Sequence, residues 1–228
     1  MKTVVKILLG VAIIFLVYLC ITSIVTPIQF ENTRTSRERA VVKQLIDIRK
    51  AQLEYRDQHG RFVSDLDSLV DFVREGKKKI VSKEGALTDA QLEAGLTEAR
   101  AVRIINSGNM REIERNGLVG FRRDTTIVDV ITELFPAGDY TLQNIDRMIV
   151  IPYSDNKKFE IAVDNEYKND IGIRIPLFEV TAPYETYLYD LNRQELLNII
   201  DKLRQMNKFP GLRVGSVDSP NNNAGNWE

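Results

Sequence analysis

The chain has 228 residues, 31 of them basic and 32 acidic, for a net charge of −1. That balance excludes the strongly basic surface that nucleic-acid binding requires. A single cysteine (Cys20) and a single histidine (His59) exclude an intrachain disulfide, a thiolate metal cluster and a multi-histidine centre.

The stretch from Ile7 to Phe30 carries no charged residue. Its first part, Ile7 to Thr26, matches the roughly 20 apolar residues needed to cross a bilayer core. A cleaved signal peptide has a shorter apolar region followed by a small-x-small site. Leu19-Cys20-Ile21-Thr22-Ser23 offers no such site, and bulky Leu19 before Cys20 argues against a lipoprotein. The expectation is a cytoplasmic stub at 1–6 and a retained transmembrane helix at 7–26. Lys2 and Lys6 on one side and Arg34, Arg37 and Arg39 on the other leave the charge rule undecided. Long domains translocate largely regardless of charge, so the amino terminus is placed inside and the domain outside. The absence of any Asn-x-Ser/Thr acceptor agrees with a bacterial origin; the expected location is a bacterial inner membrane with a periplasmic domain.

Past Pro27, helix signals resume by Ser36. Val41, Leu45, Ile48, Ala51 and Tyr55 form one apolar stripe at spacings of three and four. Gly60 stops this helix, which is read as an amphipathic stalk over 27–59 lying along a domain. Ser64 opens a second helix with Leu66, Leu69, Val70 and Val73 on one face, ended by Gly76. Lys77, Lys78 and Lys79 read as its solvated end. Thr88 starts a third helical stretch through Leu92, Leu96, Ala99 and Val102, and polar Ser107–Gly120 reads as irregular. Strand patterns follow at Thr125–Ile131, Met148–Ile151, Phe159–Val163, Ile173–Val180 and Tyr184–Tyr189, with a turn at Asp155-Asn156. Asn192 and Glu195 cap a late helix that buries Leu196, Ile199, Ile200 and Leu203. Leu212–Val217 is a last short strand before a polar tail at 217–228. The whole is α+β, with an extracytoplasmic domain over 60–216.

Two stretches of local wording carry a resemblance. The amphipathic helix ends in Gln58-His59-Gly60-Arg61-Phe62 and is followed by Ser64-Asp65-Leu66-Asp67-Ser68-Leu69. At the other end stand Val214-Gly215-Ser216, a polar loop, and Gly225-Asn226-Trp227. Over residues 7–72 and 212–228 the chain resembles type IV pilin-like proteins, and in particular the major pseudopilins of type II secretion systems. The resemblance implies a transmembrane helix continuing into a long amphipathic helix packed on a small antiparallel sheet, here with extra helices. It also implies a structural role in a secretion or pilus-like envelope assembly. The chain departs from the family in lacking the prepilin peptidase site. With Pro27 set on the family's helix proline, Gly10 stands where that family carries a glutamate. The implied object is a pilin-like domain on an uncleaved anchor. The segment 77–210 matches nothing in the family.

No catalytic, cofactor-binding or metal-ligating residue is assigned, and the chain is read as no enzyme. His59 lacks a local partner and sits at a helix end. Asp164, Glu166 and Asp170 read as a solvated turn. Asp218, Asn221, Asn222 and Asn223 are oxygen-rich, and the family resemblance implies calcium there, but one carboxylate makes a weak site. Tyr184, Tyr187, Tyr189 and Trp227 read as packing residues. The expected partners are the lipid bilayer and other envelope or secretion-system proteins or copies of the chain, with no nucleic acid or small-molecule substrate. The alternatives are an anchored periplasmic binding or adaptor module unrelated to pilins, and an anchored hydrolase.

Overall fold

The computed structural model describes residues 2–228, with side chains described for 6–80, 84–122 and 126–228. Of the expected stub at 1–6, Met1 lies outside the described residues, and the first helix begins at Lys2. The architecture is mixed α+β, with one long amino-terminal helix, several short helices and two small antiparallel sheets.

Helix α1 (Lys2–His59) runs 58 residues without a break and carries Pro27 inside it. At 1.5 Å per residue it is about 87 Å long. Its two halves have opposite surroundings. From Ile7 to Ile28 large apolar side chains stand exposed, Leu8 at 69% and Ile14 at 72%. From Phe30 onward one face is covered, and Val41, Leu45, Ile48 and Ala51 are completely buried. Burying each of the larger aliphatic side chains is worth about 1.5–3 kcal/mol. From Phe30 to Glu54, α1 therefore packs one face on its own domain, as an amphipathic helix lying along that domain does. Its buried surface is wider than the apolar stripe, because Asp47, Gln52 and Glu54 are buried beside it, whereas Tyr55 is only half-buried.

The chain divides into two compact units. The first comprises residues up to Val73 together with Tyr140–Glu228, and the second is Arg74–Asp139. The stretch 60–216, expected as one domain, contributes to both.

In the first unit, α2 (Leu66–Glu75) starts after Asp65, and not at Ser64 as expected: Asp65 Oδ2 accepts from the Ser68 amide at 2.8 Å. It buries Leu66, Leu69, Val70 and Val73, the face expected from their spacing. The first-unit sheet later pairs β3 (Glu160–Asp164), β4 (Leu177–Pro183) and β5 (Gly211–Gly215) in that spatial order, both pairs antiparallel. Val163 lies opposite Phe178, and Val180 opposite Val214. Helix α1 lies against β5 and against a 3₁₀ turn at Ile145–Ile149.

That turn corrects the strand expected at Met148–Ile151. Ile145, Met148 and Ile149 are all buried, and a short apolar run serves a tight helix as well as a strand. Only Val150 forms an isolated bridge, to Lys158. The expected strand Ile173–Val180 begins later, at Leu177, because Arg174 bridges back to Lys168 around the tight loop Asn169–Gly172. A further correction is the strand expected at Tyr184–Tyr189. Residues Tyr184–Tyr187 form a single helical turn after Pro183, whose φ of −63° starts it. Tyr184 and Tyr187, three apart, meet edge-on with ring centroids 5.9 Å apart. The late helix (Arg193–Gln205) is capped as expected, the Glu195 amide donating to Asn192 Oδ1 at 3.1 Å. Asp155 and Asn156 both have positive φ, which bears out the turn expected there.

The tail is tied to the sheet. Asn226 donates its amide to the Arg213 carbonyl and accepts from the Arg213 amide, both at 3.0 Å, while its Nδ2 reaches the Gly211 carbonyl at 2.9 Å. Gly225 bridges Val214, and the Trp227 ring lies where a Cβ on Gly225 would stand, 2.4 Å from its nearest atom. Only glycine permits that cover.

The second unit is built on a two-stranded ribbon of β1 (Lys77–Glu84) and β2 (Arg122–Asp129). Lys77–Lys79 are thus strand residues and not a helix end. They pair with Asp129, Val128 and Ile127, a partner some fifty residues away that local pattern does not disclose. The helical stretch expected from Thr88 is two helices, Asp89–Glu93 and Glu98–Asn106, interrupted at Gly95 with φ +78°. The break rotates the buried face, so Ala101 and Ile104 are buried while Leu92 and Ala99 are exposed. Ser107–Gly120, expected to be irregular, holds a helix at Met110–Arg115. Its Ile113 joins Leu96, Ala101, Ile104, Leu118 and Phe121 in one apolar cluster. The strand expected at Thr125–Ile131 turns into a short helix at Val130–Leu134.

Candidate functional site

The feature with the clearest functional chemistry is the amino-terminal half of α1. Among the described residues one helix is long and apolar enough to cross a membrane, and its most apolar stretch has no cover from the rest of the chain. An exposed apolar surface of this extent is unstable in water and marks contact with lipid or protein. Cys20 lies within it, exposed. Thr22, the polar interruption, returns its hydroxyl to the carbonyls of Tyr18 and Leu19 at 3.1 Å, which satisfies it within the helix.

Two clefts open beside the covered half of α1. The larger, about 600 Å³, is lined by Arg37, Gln44, Arg147, Tyr153, Asp155 and Tyr189 among others. Arg37 spans it, forked onto Asp190, with Nη2 2.8 Å from Oδ2, and also donating to the Tyr187 carbonyl at 2.7 Å. Its guanidinium lies 4.9 Å from the centre of the Tyr153 ring. Hydrogen bonding to Arg37 holds the Asp190 carboxyl below the usual range, and Asp190 in turn raises Arg37. Tyr153 has φ +62°, a left-handed backbone that is uncommon for a bulky residue. Since Arg37 and Asp190 satisfy each other, neither charge is free to act on a reacting group.

The second cleft, about 450 Å³, includes Arg34, Glu38, Tyr184, Arg213 and Trp227. Arg34 Nε and Glu38 Oε1 stand 3.4 Å apart, close enough to attract but not aligned as a hydrogen bond. Burial first, then the neighbouring Glu38, pushes the Tyr184 phenol well above its ordinary range. Burial does the same to Tyr187, whose hydroxyl has no hydrogen-bond partner.

The residues weighed from the sequence do not converge. His59 is exposed, stacks on Tyr55 at 4.2 Å and lies 3.0 Å from the Tyr55 carbonyl. Asp164 caps the Glu166 amide at 2.8 Å, and Glu166 pairs with Arg174 at 2.9 Å, in an exposed turn. In the tail, the Asn223 carbonyl already accepts from Arg49 at 3.1 Å, and the same guanidinium meets Glu228 at 2.7 Å. A cation bound there would face that arginine. Among the described residues no three His, Cys, Asp or Glu side chains gather as a metal site would need. Tyr184 and Tyr187 are buried, Trp227 half-buried and Tyr189 exposed.

Sequence reasoning missed Arg37, Asp190 and Tyr153, which are brought together over about 150 positions. It also missed two side-chain amides that hold the segment after α1. Gln52 donates to the Val63 carbonyl at 2.8 Å and accepts from its amide at 3.1 Å. Asn165 does the same for Phe62, at 3.0 and 2.9 Å. A glutamine inside an apolar helix face was the only local signal.

Compared with protein-family models, with curated proteins and with solved structures, the chain finds no match.

Proposed function

We propose that this chain is a single-pass membrane protein with a structural role, a pilin-like subunit of a secretion or pilus-like envelope assembly, and not an enzyme. In this reading the anchor sits in a bacterial inner membrane, with the amino terminus cytoplasmic and the domain periplasmic. The observation that carries it is the join within α1. One helix is apolar and uncovered over its first half and forms the core of an α+β domain over its second. The tail ending in Asn226-Trp227 pairs with β5, the strand that lies against that helix. An apolar helix continuing into an amphipathic one packed beside a small antiparallel sheet supports the pilin-like reading.

A second reading, an anchored binding or adaptor module, is favoured by the larger cleft, where exposed Tyr153 and Tyr189 flank the Arg37–Asp190 pair. Amine cross-linking of the full chain in its native membranes, read by mass spectrometry, separates the two. A structural subunit gives adducts to copies of itself or to other anchored envelope proteins. Monomer alone, with no adduct, would leave the binding module as the better account.

A further inference from the structure

We infer that the domain is seated directly on the bilayer, with the turn Asp190–Asn192 in the lipid headgroup layer. The inference rests on the anchor reading above and adds where the domain meets the lipid.

The helix supplies the ruler. Ile7 to Thr26 spans about 30 Å at 1.5 Å per residue, the thickness of the hydrocarbon core. The headgroup region adds about 5–8 Å on each side, or the next four or five helical residues. Those are residues 27–31, and α1 is unbroken through them. Phe30 is already buried at 7% exposure, so the fold begins within that layer. A notch of about 510 Å³ is shared by Thr26, Gln29, Phe30 and Thr33 of α1 and by Asp190, Leu191 and Asn192 of the turn. The turn therefore stands beside Thr26–Thr33, a stretch whose first part lies in that layer, with the Asp190 carboxylate on the side of Arg37.

The chemistry of the notch fits that depth. Hydroxyls and amides from Thr26, Gln29, Thr33 and Asn192 suit the polar glycerol and phosphate level. The carboxylate in it, Asp190, is neutralised by the forked pair with Arg37, so it presents no free negative charge to lipid phosphates. The turn is flanked by exposed Tyr189 and exposed Arg193. Tyrosine is enriched at the membrane interface, and arginine is attracted to anionic lipid. Arg37 ties the turn to α1 through Asp190, and the residues before it through the Tyr187 carbonyl, so the domain does not swing away on a linker.

The test uses the full chain in phosphatidylethanolamine–phosphatidylglycerol vesicles with nitroxide labels, reading the ratio of oxygen to nickel-chelate collision rates. Native Cys20 is labelled in one sample. Arg193→Cys and, separately, Tyr189→Cys are labelled in a Cys20→Ser background, with Asp57→Cys as the aqueous reference. The expected result is a high ratio at Cys20, a water-like ratio at Asp57→Cys, and an intermediate ratio at Arg193→Cys and Tyr189→Cys. Water-like ratios at both turn labels with Cys20 in hydrocarbon would overturn the inference and leave the anchor standing. A water-like ratio at Cys20 would overturn the anchor reading itself.

Discussion

Tyr187 and Gln52 are both completely buried, yet they stand in opposite positions energetically. The Tyr187 hydroxyl is desolvated without a partner, which costs free energy that the ring's packing offsets. Gln52 has both ends of its amide paired with Val63. Tyr187→Phe should therefore leave stability unchanged or raise it by about 1 kcal/mol, while Gln52→Leu, which orphans the Val63 amide and carbonyl, should lower it by about 2–3 kcal/mol. The tyrosine also gives a pH dependence. A phenol whose folded pKa is raised contributes stability that is fully present below the unfolded value near 10. That contribution is lost as pH rises through the folded value, because the unfolded chain ionises first. Above pH 10 the slope of stability against pH should become less steep in Tyr187→Phe by about 1.4 kcal/mol per unit. Denaturant melts at pH 9 to 11 check both parts, and an equal alkaline slope in the variant would show Tyr187 to be solvated.

At the scale of elements, α1 does two jobs that its sequence separates. The uncharged run is continuous and needs no protein cover. The second half alternates charge with an apolar stripe whose members Val41, Leu45, Ile48 and Ala51 are all buried. Leu45→Asp places an unpaired carboxylate on the fully buried face of α1 and should destabilise the first unit by about 4 kcal/mol. Near-UV circular dichroism of the full chain in detergent measures this. Unchanged melting would mean that the stripe faces another chain. Three of the short elements that differ from expectation share one cause. Met148–Ile151, Tyr184–Tyr189 and Lys77–Lys79 are runs of three to six residues, too short for periodicity to choose between a helical turn and a strand. Their neighbours decide: Pro183 and the paired tyrosines for one, β2 for another.

At the scale of the molecule, the second unit, Arg74–Asp139, has its own apolar cluster and its own sheet. It is a separate compact unit, lying in sequence between the two parts of the first. Ile104→Asp should remove hydrogen-exchange protection from Glu98–Arg115 while amides of α1 between Val41 and Tyr55 keep theirs. Simultaneous loss in both regions would show that the two units unfold as one.

The sequence by itself determined the apolar span, the stripe on α1, the α2 face, the capped late helix and the turn at Asp155-Asn156. Each is written in contiguous residues whose spacing or backbone preference needs no distant partner. Its one histidine and one cysteine also rule out an intrachain disulfide and a multi-histidine centre within these residues. Tertiary structure alone decided that Asn226 fastens the tail and that Arg37 meets Asp190 from 153 positions away. Those features depend on hydrogen bonds and ion pairs between side chains far apart in the chain. A polar residue carries no local mark of the partner that will satisfy it once water is removed.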